Sequence, residues 1–318
     1  MLRVVEEGSR LRVETPAKIN VGLRLLAKRP DGYHELESVV MAVTLTDTLE
    51  AEATPDGSVT LEVRSEGAEA PADESNLVMR AARRLQAWVG GAAEGQGHVA
   101  RSGRPTVAPG GAGARLVLTK RIPARRGLGG GSSDGAAALV LLNRLWGLDL
   151  RGEELSRLAA ELGSDVPFFL NGPLAVMRGR GDIIEPIDQR VNVWVVLLCP
   201  PFGLATRDVY QRAEVPLTSA VGQSRLVWSL LVRGRIEELG RHLVNDLEPA
   251  AQALNSDMSR LRRLLEENGA ACVSMAGSGS AMYALCATEV EARTIAGAIM
   301  PGAGAGVRVL SAWMGTSS

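Results

Sequence analysis

The sequence of 318 residues predicts an α+β fold, and two observations favour this class. Stretches that alternate apolar and polar residues, typical of strands, occur in both halves of the chain beside stretches of helical spacing. These elements do not follow one another in the regular alternation of a doubly wound parallel sheet. Hydrophobic residues make up 46% of the chain, which is enough for a sizeable core. The length fits one large domain or two ordinary ones.

Local patterns predict where the strands and helices lie along the chain. In the first half, predicted strands cover residues 10–29, 36–54, 58–64 and 115–123, and predicted helices cover 76–89, 133–146 and 152–162. In the second half, predicted strands cover 191–200 and 307–313, a strand–loop–strand covers 271–287, and predicted helices cover 206–213, 223–234, 236–251, 258–269 and 289–300.

Several connections between these elements are also predicted. Pro16 is expected to separate two strands, with a turn following at Asp31–Tyr33. Residues 58–64 come after Asp56-Gly57 and are expected to form a hairpin with the preceding strand. Residues 165–187 are expected to form strands and turns. A domain boundary near Pro186 gives two domains, residues 1–185 and 186–318.

Composition excludes several classes of protein. The net charge of −1 does not indicate a broad nucleic-acid surface. Cys199, Cys272 and Cys286 are too few and too scattered for a disulfide framework or a zinc site, and are expected to be core residues. No secretory leader or membrane-spanning run is found, so a cytoplasmic location is expected. The glycine-rich segment 89–114 is expected to be a flexible loop or an insertion, not a domain boundary.

The stretch RRGLGGGSSDGAAALVLLNRLW, from Arg125 to Trp146, places four glycines and two serines directly before an apolar helix. Ser132 and Ser133 are expected to be N-caps, and glycines before a helix let an anion approach its free N–H groups. The stretch lacks the Gly-Lys-Ser/Thr of a Walker A loop and the glycine spacing of a dinucleotide fingerprint. It fits either a triphosphate-binding loop or a turn that only packs a helix.

Two other stretches, PAKINVGLRL from Pro16 and MAGSGSAMYAL from Met275, flank this loop in sequence order. Together with PARRGLGGGSSDGAA they resemble the signature motifs of the GHMP kinase superfamily of small-molecule kinases. The stretches RPDGYHEL, ELGSDVPFF and GRGDIIEPI are similar to the branch that phosphorylates a cytidine diphosphate-linked polyol. The resemblance implies a two-domain GHMP kinase fold, with a ribosomal S5 domain 2-like N-terminal domain and a ferredoxin-like C-terminal domain.

The resemblance also implies which residues act. Lys18 and Asp165 are expected to be catalytic and to contact each other and the reacting hydroxyl; a surface lysine and a turn or N-cap acid are the structural alternatives. The expected substrate-binding residues are Asn20, Tyr33, His34, Thr206, Tyr210, Gly277, Ser278 and Gly279. The expected ATP-binding residues are Asn76, Lys120, Pro123, Gly127, Leu128, Gly129, Gly130, Gly131, Ser132 and Ser133.

The expected acceptor site is aromatic. Tyr33 and Tyr210 are expected to stack on cytosine, with Phe202 as the rival of Tyr210, and His34 to bind the polar edge of the base. ATP is the expected co-substrate, with Mg²⁺ but without a dedicated metal site in the protein. Arg125 and Arg126 stand where relatives usually carry small residues; they could add positive charge near the phosphates, but their side chains are expected to face solvent.

The expected partners are ATP and the polyol substrate, with no nucleic acid and no membrane; a homodimer is left open. Three other functions are open at this point. The acceptor could be homoserine, mevalonate or a sugar, the protein could be a catalytically inactive ligand-binding relative, or an S5-like domain could bind nucleic acid. The DGYH stretch argues against the first alternative, and the presence of both Lys18 and Asp165 argues against the second.

Overall fold

Strands and helices are mixed in both halves of the computed structural model, which describes residues 2–93, 111–216 and 222–314. The strands are β1 Val4–Glu7, β2 Arg10–Lys28, β3 His34–Thr54, β4 Val59–Ser65, β5 Gly113–Lys120, β6 Leu174–Gly179, β7 Ile183–Pro186, β8 Val193–Cys199, β9 Val273–Met275, β10 Met282–Cys286 and β11 Arg308–Met314. The helices are α1 Leu77–Ala93, α2 Gly130–Leu145, α3 Gly152–Leu162, α4 Val166–Asn171, α5 Thr206–Arg212, α6 Gln223–Val232, α7 Ile236–His242, α8 Glu248–Leu254, α9 Asp257–Glu267 and α10 Glu289–Ile299. The predicted α+β class is confirmed.

The first compact unit consists of Met1–Pro16, Thr46–Ile122 and Gly130–Asn171. Its strands, which include the first part of β2 and the last part of β3, follow the order β1-β2-β3-β5-β4, and helices α1 to α4 pack against one another. Large apolar side chains such as Leu85, Leu116 and Leu139 are fully buried in this unit. Their burial supplies most of its hydrophobic stabilisation.

The second compact unit consists of Ala17–Leu45, Pro123–Gly129 and Gly172–Ser318. Its four-stranded antiparallel sheet has the order β11-β8-β10-β9, with helices α9 and α10 packed on it. In the same unit β6 pairs with both β3 and β7. These units are built from interleaved chain segments, and the boundary near Pro186 stays a prediction.

Several predictions about local structure are wrong. β2 runs through Pro16 without a break, because an extended backbone accommodates the fixed φ of proline. β4 does not form a hairpin with β3; it pairs in parallel with β5, which lies between them. Residues 166–171, expected to be strand and turn, form α4. The helix expected over 236–251 is interrupted between α7 and α8.

The structure also bears on the expectations for the cysteines and for the glycine-rich segment. All three cysteines are free and buried, as expected for core residues. α1 extends to Ala93, so the start of segment 89–114 is helical rather than loop, while residues 94–110 lie outside the described residues. No helix among the described residues is long and apolar enough to cross a membrane.

Candidate active site

Strand β2 carries two buried polar side chains on one face of the second unit. Lys18 and Asn20 are two residues apart, and alternate residues of a strand share a face. They are only 5% and 4% exposed, and Lys18 Nζ donates to Asn20 Oδ1 at 2.7 Å. Asn20 Nδ2 in turn donates to Ser38 Oγ at 2.9 Å. These hydrogen bonds fix the lysine ammonium group in an interior position.

The segment between β9 and β10 lies against this pair. Gly277 has a positive φ of 54°, and a Cβ there would lie 3.1 Å from Asn20 Oδ1 and 3.3 Å from Lys18 Nζ. Any larger residue would therefore crowd both polar groups as well as strain the backbone. The side-chain amide of Asn245 donates to the carbonyls of Met275 and Gly277 at 2.9 and 2.8 Å and holds the segment in place.

The first part of the glycine-rich loop belongs to the same cluster. The backbone N–H of Lys18 donates to the carbonyl of Leu128 at 2.8 Å. A Cβ on Gly127, whose φ is 76°, would lie 1.8 Å from the carbonyl oxygen of Ala276. Glycine is thus required for this close approach. The second unit therefore brings together parts of all three predicted motifs: strand β2, the glycine loop and the β9–β10 segment.

The second part of the loop opens helix α2 in the first unit. The helix begins at Gly130, so Ser132 and Ser133 lie inside its first turn and are not the N-caps expected from the sequence. The Oγ of Ser133 is buried and has no hydrogen-bond partner among the described residues. A first turn with free N–H groups and an unpaired hydroxyl is suited to bind an anion.

Lys120 is part of a buried charge network near this turn. Its Nζ contacts Asp47 and lies 2.7 Å from Asp134 Oδ2. Asp134 also accepts from Thr15 Oγ1 at 2.6 Å, and Asp47 accepts from the N–H of Ile122 at 2.9 Å. Burial opposes the charge on Lys120, but the two carboxylates outweigh it and raise its pKa. Lys120 is a charged residue that links β5 to α2.

The predicted acceptor residues form two contacts within the second unit. The rings of His34 and Tyr210 lie 5.6 Å apart between centroids. Thr206 and Ser278 share a hydrogen bond of 3.0 Å between their Oγ1 and Oγ atoms. Burial lowers the pKa of His34, and Lys28 adds to this effect, so the imidazole is neutral at pH 7.

The other aromatic candidates make different contacts. Tyr33 is 55% exposed, with the guanidinium of Arg180 4.9 Å above its ring. Phe202 packs against the hydrophobic core of the second unit, and its carbonyl accepts from Ser280 Oγ.

Asp165 and Asn76 both belong to the first unit and stand directly before helices. Asp165 precedes α4 and is half-buried. Asn76 precedes α1; its Oδ1 accepts from Val78 N–H at 2.9 Å and its Nδ2 donates to the carbonyl of Pro71. The amide of Asn76 therefore already has partners within the chain. Catalysis by Asp165 and nucleotide binding by Asn76 stay predictions.

The structure also shows two residues that sequence reasoning missed or misplaced. Asn245 had no signal, since the helix expected over 236–251 would have passed through it. Arg126 was expected to face solvent, but its Nε and Nη2 donate to the carbonyls of Pro200 and Pro201, both at 2.7 Å. Arg125 is exposed, in agreement with the expectation.

Comparison with known proteins identifies similar chains. The family model described as "GHMP kinases N terminal domain" matches residues 76–173, and "GHMP kinases C terminal" matches residues 228–306. A 4-diphosphocytidyl-2-C-methyl-D-erythritol kinase from Pelotomaculum thermopropionicum is 38% identical over 88% of this chain and 90% of its own length. One from a Nocardioides species is 38% identical over 92% and 93%.

Similar chains are also found among solved structures. A crystal structure of 4-(cytidine 5'-diphospho)-2C-methyl-D-erythritol kinase matches with a TM-score of 0.74 and 32% identity over 96% of this chain and 100% of its own. A homoserine kinase from Cytophaga hutchinsonii has a TM-score of 0.70 at 20% identity, covering 99% of this chain and 98% of its own. This second likeness shows a shared fold only.

Proposed function

Because the chain belongs to the GHMP kinase family and, within it, to the 4-diphosphocytidyl-2-C-methyl-D-erythritol kinases, we propose that it phosphorylates that cytidyl compound. The γ-phosphoryl group of ATP is transferred to the 2-hydroxyl of the acceptor. The products are ADP and the 2-phosphate, an intermediate of non-mevalonate isoprenoid biosynthesis. We place the enzyme in the cytoplasm, with small molecules as its partners.

The convergence of the three motifs in the second unit supports this proposal most strongly. Lys18, Gly127 and Gly277 come from distant parts of the sequence, yet a Cβ on Gly277 would lie only 3.3 Å from both Lys18 Nζ and the carbonyl oxygen of Gly127. Gly127 opens the loop that continues into α2, where backbone N–H groups and Ser133 Oγ can bind phosphate oxygens.

Phosphoryl transfer depends mainly on positioning and on stabilising charge at the reacting oxygens. We assign Asp165 as the carboxylate that accepts the proton of the acceptor hydroxyl as the new P–O bond forms. We assign Lys18 as the cation that stabilises negative charge on the reacting oxygen. Its burial supports this role, because an ammonium held in the interior acts with little screening by water.

The acceptor residues support recognition of a nucleotide base. Tyr210 offers a ring face beside His34, and a neutral imidazole can both donate and accept a hydrogen bond at the polar edge of cytosine. Thr206 and Ser278 add two hydroxyls on neighbouring segments. We assign Tyr33, with its exposed ring, as the second stacking residue for the base.

Mg²⁺ is expected to arrive with ATP. Among residues 2–93, 111–216 and 222–314, no three His, Cys, Asp or Glu side chains are grouped as a metal site. The hydroxyl of Ser133 fits as one oxygen ligand, and Mg²⁺ commonly takes its other ligands from phosphates and water. When bound, the ion neutralises charge on the triphosphate.

A panel of acceptors tests the proposal. ADP release is measured with the cytidyl compound, homoserine, mevalonate and galactose at equal concentrations. We expect turnover with the cytidyl compound to exceed that with every other acceptor by at least about 1,000-fold, because unmatched buried polar groups reject poor substrates strongly. Strong turnover of homoserine with none of the cytidyl compound would overturn the assignment.

A further inference from the structure

Arg126 joins three segments of the second unit at the start of the glycine loop. Its side chain lies half-buried, and its fork-shaped guanidinium donates to the carbonyls of Pro200 and Pro201, both at 2.7 Å, and of Ala124 at 2.9 Å. Its own carbonyl accepts from the N–H of Ala281, at the end of the β9–β10 segment. Arg126 therefore contacts the loops that follow β8 and β9, while it belongs itself to the glycine loop.

The residues after β8 pack closely on this part of the loop. A Cβ on Gly203 would lie 2.7 Å from Arg126 Nη1 and 3.0 Å from the carbonyl oxygen of Arg125. The chain then enters α5, whose first residue is Thr206 and whose last turn contains Tyr210. We name residues 200–205, between β8 and α5, the connecting segment.

We propose that Arg126 is a positioning residue that fastens the connecting segment to the glycine loop and so sets the place of Thr206 and Tyr210. This inference rests on the proposed function for the identity of the acceptor. The same arginine stands directly before Gly127, so the acceptor-binding helix and the nucleotide loop are held by one side chain. Its role is to order the acceptor site, not to attract the triphosphate.

The geometry distinguishes these two roles. The guanidinium points its N–H groups at neutral carbonyl oxygens in a fixed fork that a lysine ammonium cannot reproduce. If the fork matters, lysine at this position fails to restore function although it keeps the charge. If only the positive charge matters, lysine restores function and the affinity for ATP is the quantity that changes.

The test compares Arg126→Ala and Arg126→Lys with Arg125→Gln, which removes a neighbouring exposed charge. We expect both Arg126 variants to raise the acceptor KM about tenfold, a loss of about 1.4 kcal/mol. We expect the ATP KM to change less than twofold and the control to match wild type. Rescue by lysine, or an equal rise in both KM values, would overturn the inference.

Amide hydrogen exchange supplies a measurement that needs no substrate. We expect faster exchange in residues 202–212 of Arg126→Ala and unchanged exchange in α9, which lies elsewhere in the same unit. Unchanged exchange in residues 202–212 would also overturn the inference. If wild-type protein fails to use the cytidyl acceptor, the proposed function fails, but the exchange experiment still decides whether Arg126 orders this segment.

Discussion

Replacing Asn245 by alanine removes the side chain that holds the β9–β10 segment beside Lys18. Asn245 is 6% exposed; it donates to the carbonyls of Met275 and Gly277 and accepts from the N–H of Leu247 at 3.0 Å. Alanine leaves these three interior groups without a partner. Since each unsatisfied buried group costs about 1–3 kcal/mol, we expect the free energy of unfolding to fall by at least about 3 kcal/mol.

Urea unfolding measures this loss, and steady-state kinetics measures its effect on turnover. We also expect kcat/KM for the acceptor to fall, because Gly277 lies so close to Lys18 and Asn20 that a Cβ there would crowd both side chains. Asn268→Ala is the matched control: it removes one hydrogen bond, to the carbonyl of Leu264, and should cost about 1 kcal/mol. If the free energy of unfolding of Asn245→Ala lies within about 1 kcal/mol of the wild-type value, Asn245 does not hold this segment.

Two further predictions concern pH. Burial and Lys28 lower the pKa of His34, so its ring stays neutral to a lower pH than an ordinary histidine; the acceptor KM should therefore rise only at a pH below the ordinary histidine pKa of about 6.5, and a rise already at pH 7 would contradict this. Burial raises the pKa of Asp134 to about 6, with Asp47 adding to the rise and Lys120 opposing it. An acid whose pKa is higher in the folded state stabilises the fold when protonated, and this contribution is lost as pH rises through about 6. In urea unfolding, the stability of wild type relative to Asp134→Asn should therefore fall as the pH rises from about 4 to 7; a pH-independent difference would refute the raised pKa of Asp134.

The sequence predicts best those elements whose signals are local. Helix α3 lies at residues 152–162 as expected, because its apolar spacing and the following Gly163 define both the face and the end. The glycine loop and the β9–β10 segment were found because glycine at a close approach leaves a clear pattern. The cysteines were placed in the core for the same kind of reason, since each stands in an apolar stretch.

The errors arise where tertiary contacts decide. Nothing in the local sequence shows that β4 pairs with β5 rather than with β3, because consecutive strands usually pair and β4 is consecutive with both. The start of α2 at Gly130 overrides the N-cap preference of Ser132 and Ser133. Asn245 and Arg126 act on backbone carbonyls that lie far away in sequence, and carbonyls are present at every residue. Such partners leave no pattern in the sequence.

The catalytic role of Asp165 is tested most directly by Asp165→Asn, which keeps the size of the side chain but removes the base. We expect kcat with the cytidyl acceptor to fall at least about 100-fold, with the Kd of a non-hydrolysable ATP analogue unchanged within about twofold. The matched control, Asp188→Asn, changes an exposed aspartate and should match wild type. A kcat within threefold of wild type for Asp165→Asn would contradict the proposed phosphoryl-transfer site.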